Sequence, residues 1–314
     1  MNSILALFLG LLPWAIGVLM VWPLVPPSRP RETAYAWLII GLGSFVGPMV
    51  LVAWMALLNT LKLPVFSIWL VAGLALSLLF SWSIGRFGYR YSHRERSAVD
   101  DLVCCKKGPV WLNVVVWCWL LVVVGFVSLE VAYRPAVAWD LMGFWASDAA
   151  TFLISQLQSD ASFVMPDGAH PATLRLLNAW SGYALVVSNS AHWLYAPWLG
   201  LYLGLICLSI GLALFATGHW LAAGCVALMV ASLPMIESHV ALGGYADIWV
   251  SAGLFACAAW LVFWQKHNIN LALGILLVTL LVGSALSKGN APVFSLIVVL
   301  ALVLTTLLVN NPLK

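Results

Sequence analysis

Charge is scarce in this chain: 8% of the 314 residues are Asp, Glu, Lys or Arg, against 63% hydrophobic. Ordinary soluble domains carry about 25% charged residues, so a water-soluble globule is excluded. The same scarcity excludes a disordered chain and a coiled coil, both of which are rich in charge. A basic face is missing too, because the formal charge of +3 comes from one loop, and a nucleic-acid binder is thereby excluded. Cysteine is sparse: positions 104, 105, 118, 207, 225 and 257 lie mostly in apolar runs without a pair at metal-ligand spacing. Neither a disulfide framework nor a zinc site is indicated. Cys104 and Cys105, beside Lys106 and Lys107, read either as a plain juxtamembrane pair or as a palmitoylation site. No internal repeat is evident.

What is present is long apolar sequence, with a mean hydropathy of +1.02. A spanning helix needs roughly 20 apolar residues, and about nine stretches qualify: 4–25, 35–58, 64–85, 110–129, 193–217, 220–236, 247–265, 270–287 and 291–310. The expected fold is therefore all-α, a polytopic transmembrane helical bundle of about nine spans. Two regions follow: residues 1–109, a three-span bundle with a basic cytoplasmic loop, and residues 110–314, a membrane core with a long external loop at 130–192. The first span lacks the basic start and small-residue cleavage site of a signal peptide, and it carries Pro13, Trp14 and Trp22.

Lys and Arg near helix ends stay on the cytoplasmic side. Arg86, Arg90, Arg94, Arg96, Lys106 and Lys107 follow the third span, and Arg29 and Arg31 follow the first. Alternation then puts segment 130–192, the 237–246 loop and Lys288 outside, which is periplasmic if the membrane is a bacterial inner membrane. The stretch Ala172 to Val187 would reverse this count if it crossed. It is read as an interfacial helix lying along the membrane, because it follows His170-Pro171, is shorter than a span, and carries Arg175 and Asn178 one turn apart.

Ionisable groups are costly inside a bilayer and usually face a cavity, so they mark the candidate site. Asp140, Phe144, Ser147, Asp148 and Thr151 share one face of a short amphipathic helix, with Leu141, Trp145 and Phe152 as membrane contacts. Asp140 and Asp148 equally suit helix capping. Glu237 and His239 lie just beyond the sixth span, and Gly243-Gly244-Tyr245-Ala246-Asp247 leads into the seventh. The glycines permit a tight bend, and Asp247 either caps the next helix or serves the site. No cofactor is indicated with certainty; a divalent cation held by Glu237, His239 and Asp247 remains an open option, with no ligand-spacing motif behind it. Lys288, in Ser-Lys-Gly-Asn-Ala-Pro, reads as a snorkelling lysine or as a point charge for a phosphate, with Arg175 and His170 as helpers. Trp139, Trp145 and Trp180 offer surfaces on which a sugar ring can stack.

Three blocks in order carry a family likeness: Trp139-Asp140 with Phe144-Trp145, then His170-Pro171, then Gly244-Tyr245-Ala246-Asp247 followed by Lys288-Gly289-Asn290. Over roughly residues 110–300 the pattern resembles the GT-C superfamily of polytopic glycosyltransferases, which includes protein O-mannosyltransferases and the lipid A aminoarabinose transferase. The resemblance implies transfer of a sugar, with inversion, from a polyprenyl-phosphate donor on the extracytoplasmic face to a lipid, glycan or protein acceptor. It puts Asp140 at the carboxylate that engages the acceptor hydroxyl, Asp247 at the second acidic position, and Lys288 near the carrier phosphate. Asp148, His170, Arg175, Glu237, His239 and Tyr245 would line the substrates. The chain departs from the family in carrying three spans before the core and in stopping soon after Lys288. A general base contributes roughly 100- to 10,000-fold to such a transfer. Membrane lipids are the remaining partners expected. Competing readings are a lipid-linked sugar flippase or transporter, a non-catalytic membrane subunit, and a hydrolase of the lipid phosphate.

Overall fold

A computed structural model of the chain describes residues 2–25, 32–92, 109–133, 146–157, 172–190, 192–241, 243, 245–264 and 271–310. The described residues form twelve α-helices and one 3-10 turn, with no strand. In order these are α1 (Asn2–Val21), the 3-10 turn (Trp22–Leu24), α2 (Glu32–Thr60), α3 (Ile68–Ser92), α4 (Val110–Tyr133), α5 (Ala146–Leu157), α6 (Ala172–Ser188), α7 (Ala196–Thr217), α8 (Trp220–Ala231), α9 (Pro234–Ala241), α10 (Asp247–Trp264), α11 (Leu271–Ala285) and α12 (Ala291–Asn310). Among the described residues, five helices are long and apolar enough to cross a membrane, or six if the bent pair α8–α9 is one span. Helices α10, α11 and α12, of 18, 15 and 20 residues, are apolar as well. The chain is thus an all-helical bundle suited to the bilayer.

The centre is the pair α2 and α7, whose most apolar windows are 78% and 83% buried, against 22% for α4. Between apolar helices in lipid, close packing replaces the hydrophobic effect, and small residues at the contact let backbones approach. Gly17 of α1 meets Gly43 and Gly47 of α2, and Gly47 also meets the Pro13 carbonyl. Gly204 of α7 faces Gly41 and Ser44, and Gly211 faces Ala34 and Leu38. These pairings make α2 antiparallel to both α1 and α7. The outer helices keep apolar faces outward, as with Val114, Trp119, Leu121 and Phe126 of α4.

The helices do not all begin at one level. Ala196 and Pro197, which open α7, lie against Gly10, halfway along α1. Helix α6 fills the space beside the first half of α1: Trp180 donates its indole N–H to the Leu9 carbonyl at 3.2 Å, and Asn2 reaches the Asn189 carbonyl at 3.5 Å. It therefore runs antiparallel to α1.

Three expectations change here. First, α6 forms over the predicted residues, but every position from 173 to 181 is buried, so the open face of a helix lying along a membrane is absent there. Its polar side faces protein because Arg175 finds Asp148 on α5. Second, Phe152 is fully buried and Trp180 is 7% exposed. They belong to the core that α5 and α6 share with α1 and α2, so Phe152 is not a membrane contact and Trp180 is not a free stacking surface. Third, the stretch 220–236 is not one straight helix: α8 and α9 meet at a 58° bend. Pro234 has no amide proton and cannot continue a helix, yet it suits the first position of a new one. Glu237 and His239 therefore stand on helix α9, not in a loop.

Candidate functional site

The site forms where the starts of α7 and α10 and the turn between α11 and α12 come to one level. Trp198, in the first turn of α7, donates its indole N–H to the Tyr245 carbonyl at 3.1 Å, which ties the approach to α10 onto α7. Gly243 sits just before it with φ of 58° and its Cα against the Tyr195 ring. An added Cβ would strike that ring, and an L side chain disfavours the left-handed backbone, so glycine is needed there.

Asp247 opens α10, and its carboxylate receives a hydrogen bond from the Lys288 ammonium at 2.6 Å. Both side chains are accessible, at 31% for Lys288 and 43% for Asp247. The turn that carries Lys288 is fixed on each side. Ser287 donates to the Gly283 carbonyl at 2.7 Å, and the Ala291 amide donates to the Lys288 carbonyl at 3.0 Å. Thr173 of α6 donates to the Leu286 carbonyl at 2.6 Å. That last bond joins α6 to the Lys288 turn.

A second ion pair lies two residues further along α6. Arg175 donates to Asp148 of α5 at 3.0 Å, with the arginine 4% and the aspartate 36% exposed. A guanidinium this deep in an apolar core requires a fixed counter-ion. Asp148, in the first turn of α5, supplies it.

Beside Asp247 a pocket of about 270 Å³ opens between α7, α8, α9 and α10. Leu205, Val230, Ile236 and Phe255 line it, and its polar groups are His239, Asp247 and Ser251. Asp247, Ser251 and Phe255 are spaced four apart and share one face of α10. At 1.5 Å per residue, Phe255 lies about 12 Å along the axis from Asp247. The pocket wall is thus mainly apolar, with Asp247 at the start of α10 among its few polar groups. His239 places Nδ1 2.7 Å from the Met235 carbonyl. An acceptor there makes Nδ1 the protonated nitrogen and leaves Nε2 as the acceptor of the neutral ring. The same ring meets Tyr245 edge-on at 5.4 Å.

Of the residues singled out from sequence, Asp247 and Lys288 are brought into contact, Asp148 and Arg175 likewise, and His239 joins Asp247 at the pocket and touches Tyr245. Glu237 is half-buried on α9 and is not part of the pocket lining. Among the described residues no group of three or more His, Cys, Asp or Glu side chains is placed to hold a metal ion. Glu237, His239 and Asp247 therefore do not form the ligand set that their proximity in sequence suggested. Asp140 and His170, with Trp139, Phe144 and Trp145, lie outside the described residues. Thr173, Ser251 and Trp198 were missed by the sequence. Only Ser251 left a signal, as the residue one helical turn after Asp247.

Scans of protein-family models, of curated proteins and of solved structures each returned no match to this chain.

Proposed function

We propose that the chain is a polytopic membrane glycosyltransferase of the GT-C type. It would move a sugar, with inversion, from a polyprenyl-phosphate donor to an acceptor hydroxyl on a lipid, glycan or protein. In this reading all nine apolar stretches cross the membrane, and the site faces the periplasm from a bacterial inner membrane. The observation that carries the proposal is the Lys288–Asp247 pair at 2.6 Å beside a mainly apolar pocket. A lipid phosphate has that character: an anionic head for an ammonium and a chain for an apolar wall, at about 0.8 kcal/mol per buried methylene. The phosphate leaving group needs charge stabilisation, and the Lys288 ammonium supplies it. Asp140 is the proposed base, and Arg175, Asp148, His170, Glu237 and Tyr245 hold the surrounding structure or the substrates. His239 offers Nε2 to a hydroxyl.

The test uses purified chain in vesicles with a polyprenyl-phosphate-linked radiolabelled sugar and a membrane extract as acceptor source. Asp140→Asn is expected to lower transfer at least 100-fold with normal insertion. Lys288→Ala is expected chiefly to raise the donor KM. Undiminished transfer in either variant removes that residue's role.

One observation favours a second reading. The 58° break between α8 and α9, beside the pocket, is the kind of interrupted helix that transporters place at their binding sites. A lipid-linked sugar flippase predicts movement of labelled donor across the bilayer with its glycosidic bond intact; the transferase predicts cleavage of that bond.

A further inference from the structure

We propose that Asp247 is an internal stand-in for the donor's phosphate. Until the donor arrives, Asp247 neutralises Lys288; an anionic lipid headgroup that takes Lys288 releases the Asp247 carboxylate to the pocket. This rests on the lipid-phosphate reading above and adds an order of events to it.

Four features carry the inference. The ion pair is accessible on both sides, at 31% and 43%, so a headgroup can reach the ammonium without opening the fold, and exchange of such a pair costs little. Lys288 stands on a turn held through Leu286, Ser287 and Ala291, so the exchange is a rotation of side chains rather than a shift of backbone. The charges also balance, because a singly charged phosphate replaces one carboxylate at one ammonium. Binding without displacement would instead set two anions on the same lysine. Finally, Asp247 is itself part of the pocket wall, with Ser251 one turn further and His239 opposite on α9. The released carboxylate thus gains a position beside other polar groups.

A carboxylate held by Lys288 is a poor acceptor for a hydroxyl proton. Once the phosphate has taken the lysine, Asp247 and His239 Nε2 both offer lone pairs to an incoming hydroxyl. The donor therefore loads first and the acceptor second.

The experiment measures equilibrium binding of farnesyl phosphate, farnesol and inorganic phosphate to the full chain in nanodiscs at about pH 5, where a phosphate monoester, like the donor's diester, carries mainly one negative charge. Wild-type protein is expected to bind farnesyl phosphate more tightly than farnesol. Asp247→Asn is expected to tighten farnesyl phosphate roughly two- to five-fold while leaving farnesol unchanged, and Lys288→Met to remove the advantage of the phosphate. Unchanged or weaker binding of farnesyl phosphate to Asp247→Asn overturns the stand-in role but leaves the lipid-phosphate reading in place. Wild-type protein that binds no farnesyl phosphate, or binds it equally after Lys288→Met, overturns both. A gain confined to inorganic phosphate overturns the lipid headgroup as the source of the anion. Asp247→Ser, which keeps a small polar side chain at the start of α10, repeats the test if asparagine disturbs the fold.

Discussion

At the residue scale the two ion pairs have different tasks because they differ in burial. Arg175 is 4% exposed and Lys288 is 31% exposed. Breaking a buried pair by removing one partner is strongly destabilising, whereas an accessible pair contributes little. Asp148→Ala is accordingly expected to lower stability by about 1–2 kcal/mol, the solvent on the aspartate side moderating the larger figure for a dry pair. Asp247→Ala is expected to leave the unfolding midpoint within about 0.5 kcal/mol of wild type. Thermal unfolding in detergent, followed by circular dichroism, compares the two, and equal losses would remove the distinction. Gly243→Ala is expected to cost at least about 1 kcal/mol, since it meets both a φ of 58° and the Tyr195 ring. The scarce charges were readable as site candidates because an ionisable group in so apolar a chain needs a reason. Their partners were not readable, because Asp148 and Arg175 stand 27 positions apart, and Asp247 and Lys288 stand 41 apart. Only the tertiary fold joins them.

At the element scale, helix positions followed well from apolar length, and shapes did not. Residues 220–236 read as one span because hydropathy averages over Pro234; the bend comes from the missing amide and the ring of that single residue. Pro234→Ala is expected to let α8 and α9 approach one continuous helix and to displace His239 from the pocket. Spin labels at Ala222 and Ser238 measure this: the distance between them should lengthen in the variant, and an unchanged distance would mean that packing rather than proline sets the bend. Helix α6 misled the sequence reading in another way, since Arg175 and Asn178 look like a wet face until α5 is seen to cover it. The contact of α1 with α2 depends on close backbone approach. Gly47→Leu should drive a side chain into Pro13 and Gly17 and cost about 3 kcal/mol, read from the same unfolding midpoint.

At the scale of the molecule, the staggered starts of the helices make the site. Helix α2 has 29 residues and is about 43 Å long, more than the roughly 30 Å hydrocarbon core. Helix α7, by contrast, begins only halfway along α1. Helix α6 packs beside the first half of α1 and, through Thr173, holds the turn that carries Lys288. An enzyme working on a lipid-borne phosphate at one membrane face needs such an arrangement, and its site must open to a single compartment. That requirement is tested by single cysteines at Asp140, His170, Ser238 and Lys288, in a chain whose native cysteines are replaced by serine, labelled in intact cells with a membrane-impermeant thiol reagent. The account predicts that all four are modified from outside without permeabilising the membrane; labelling split between the two sides would contradict it.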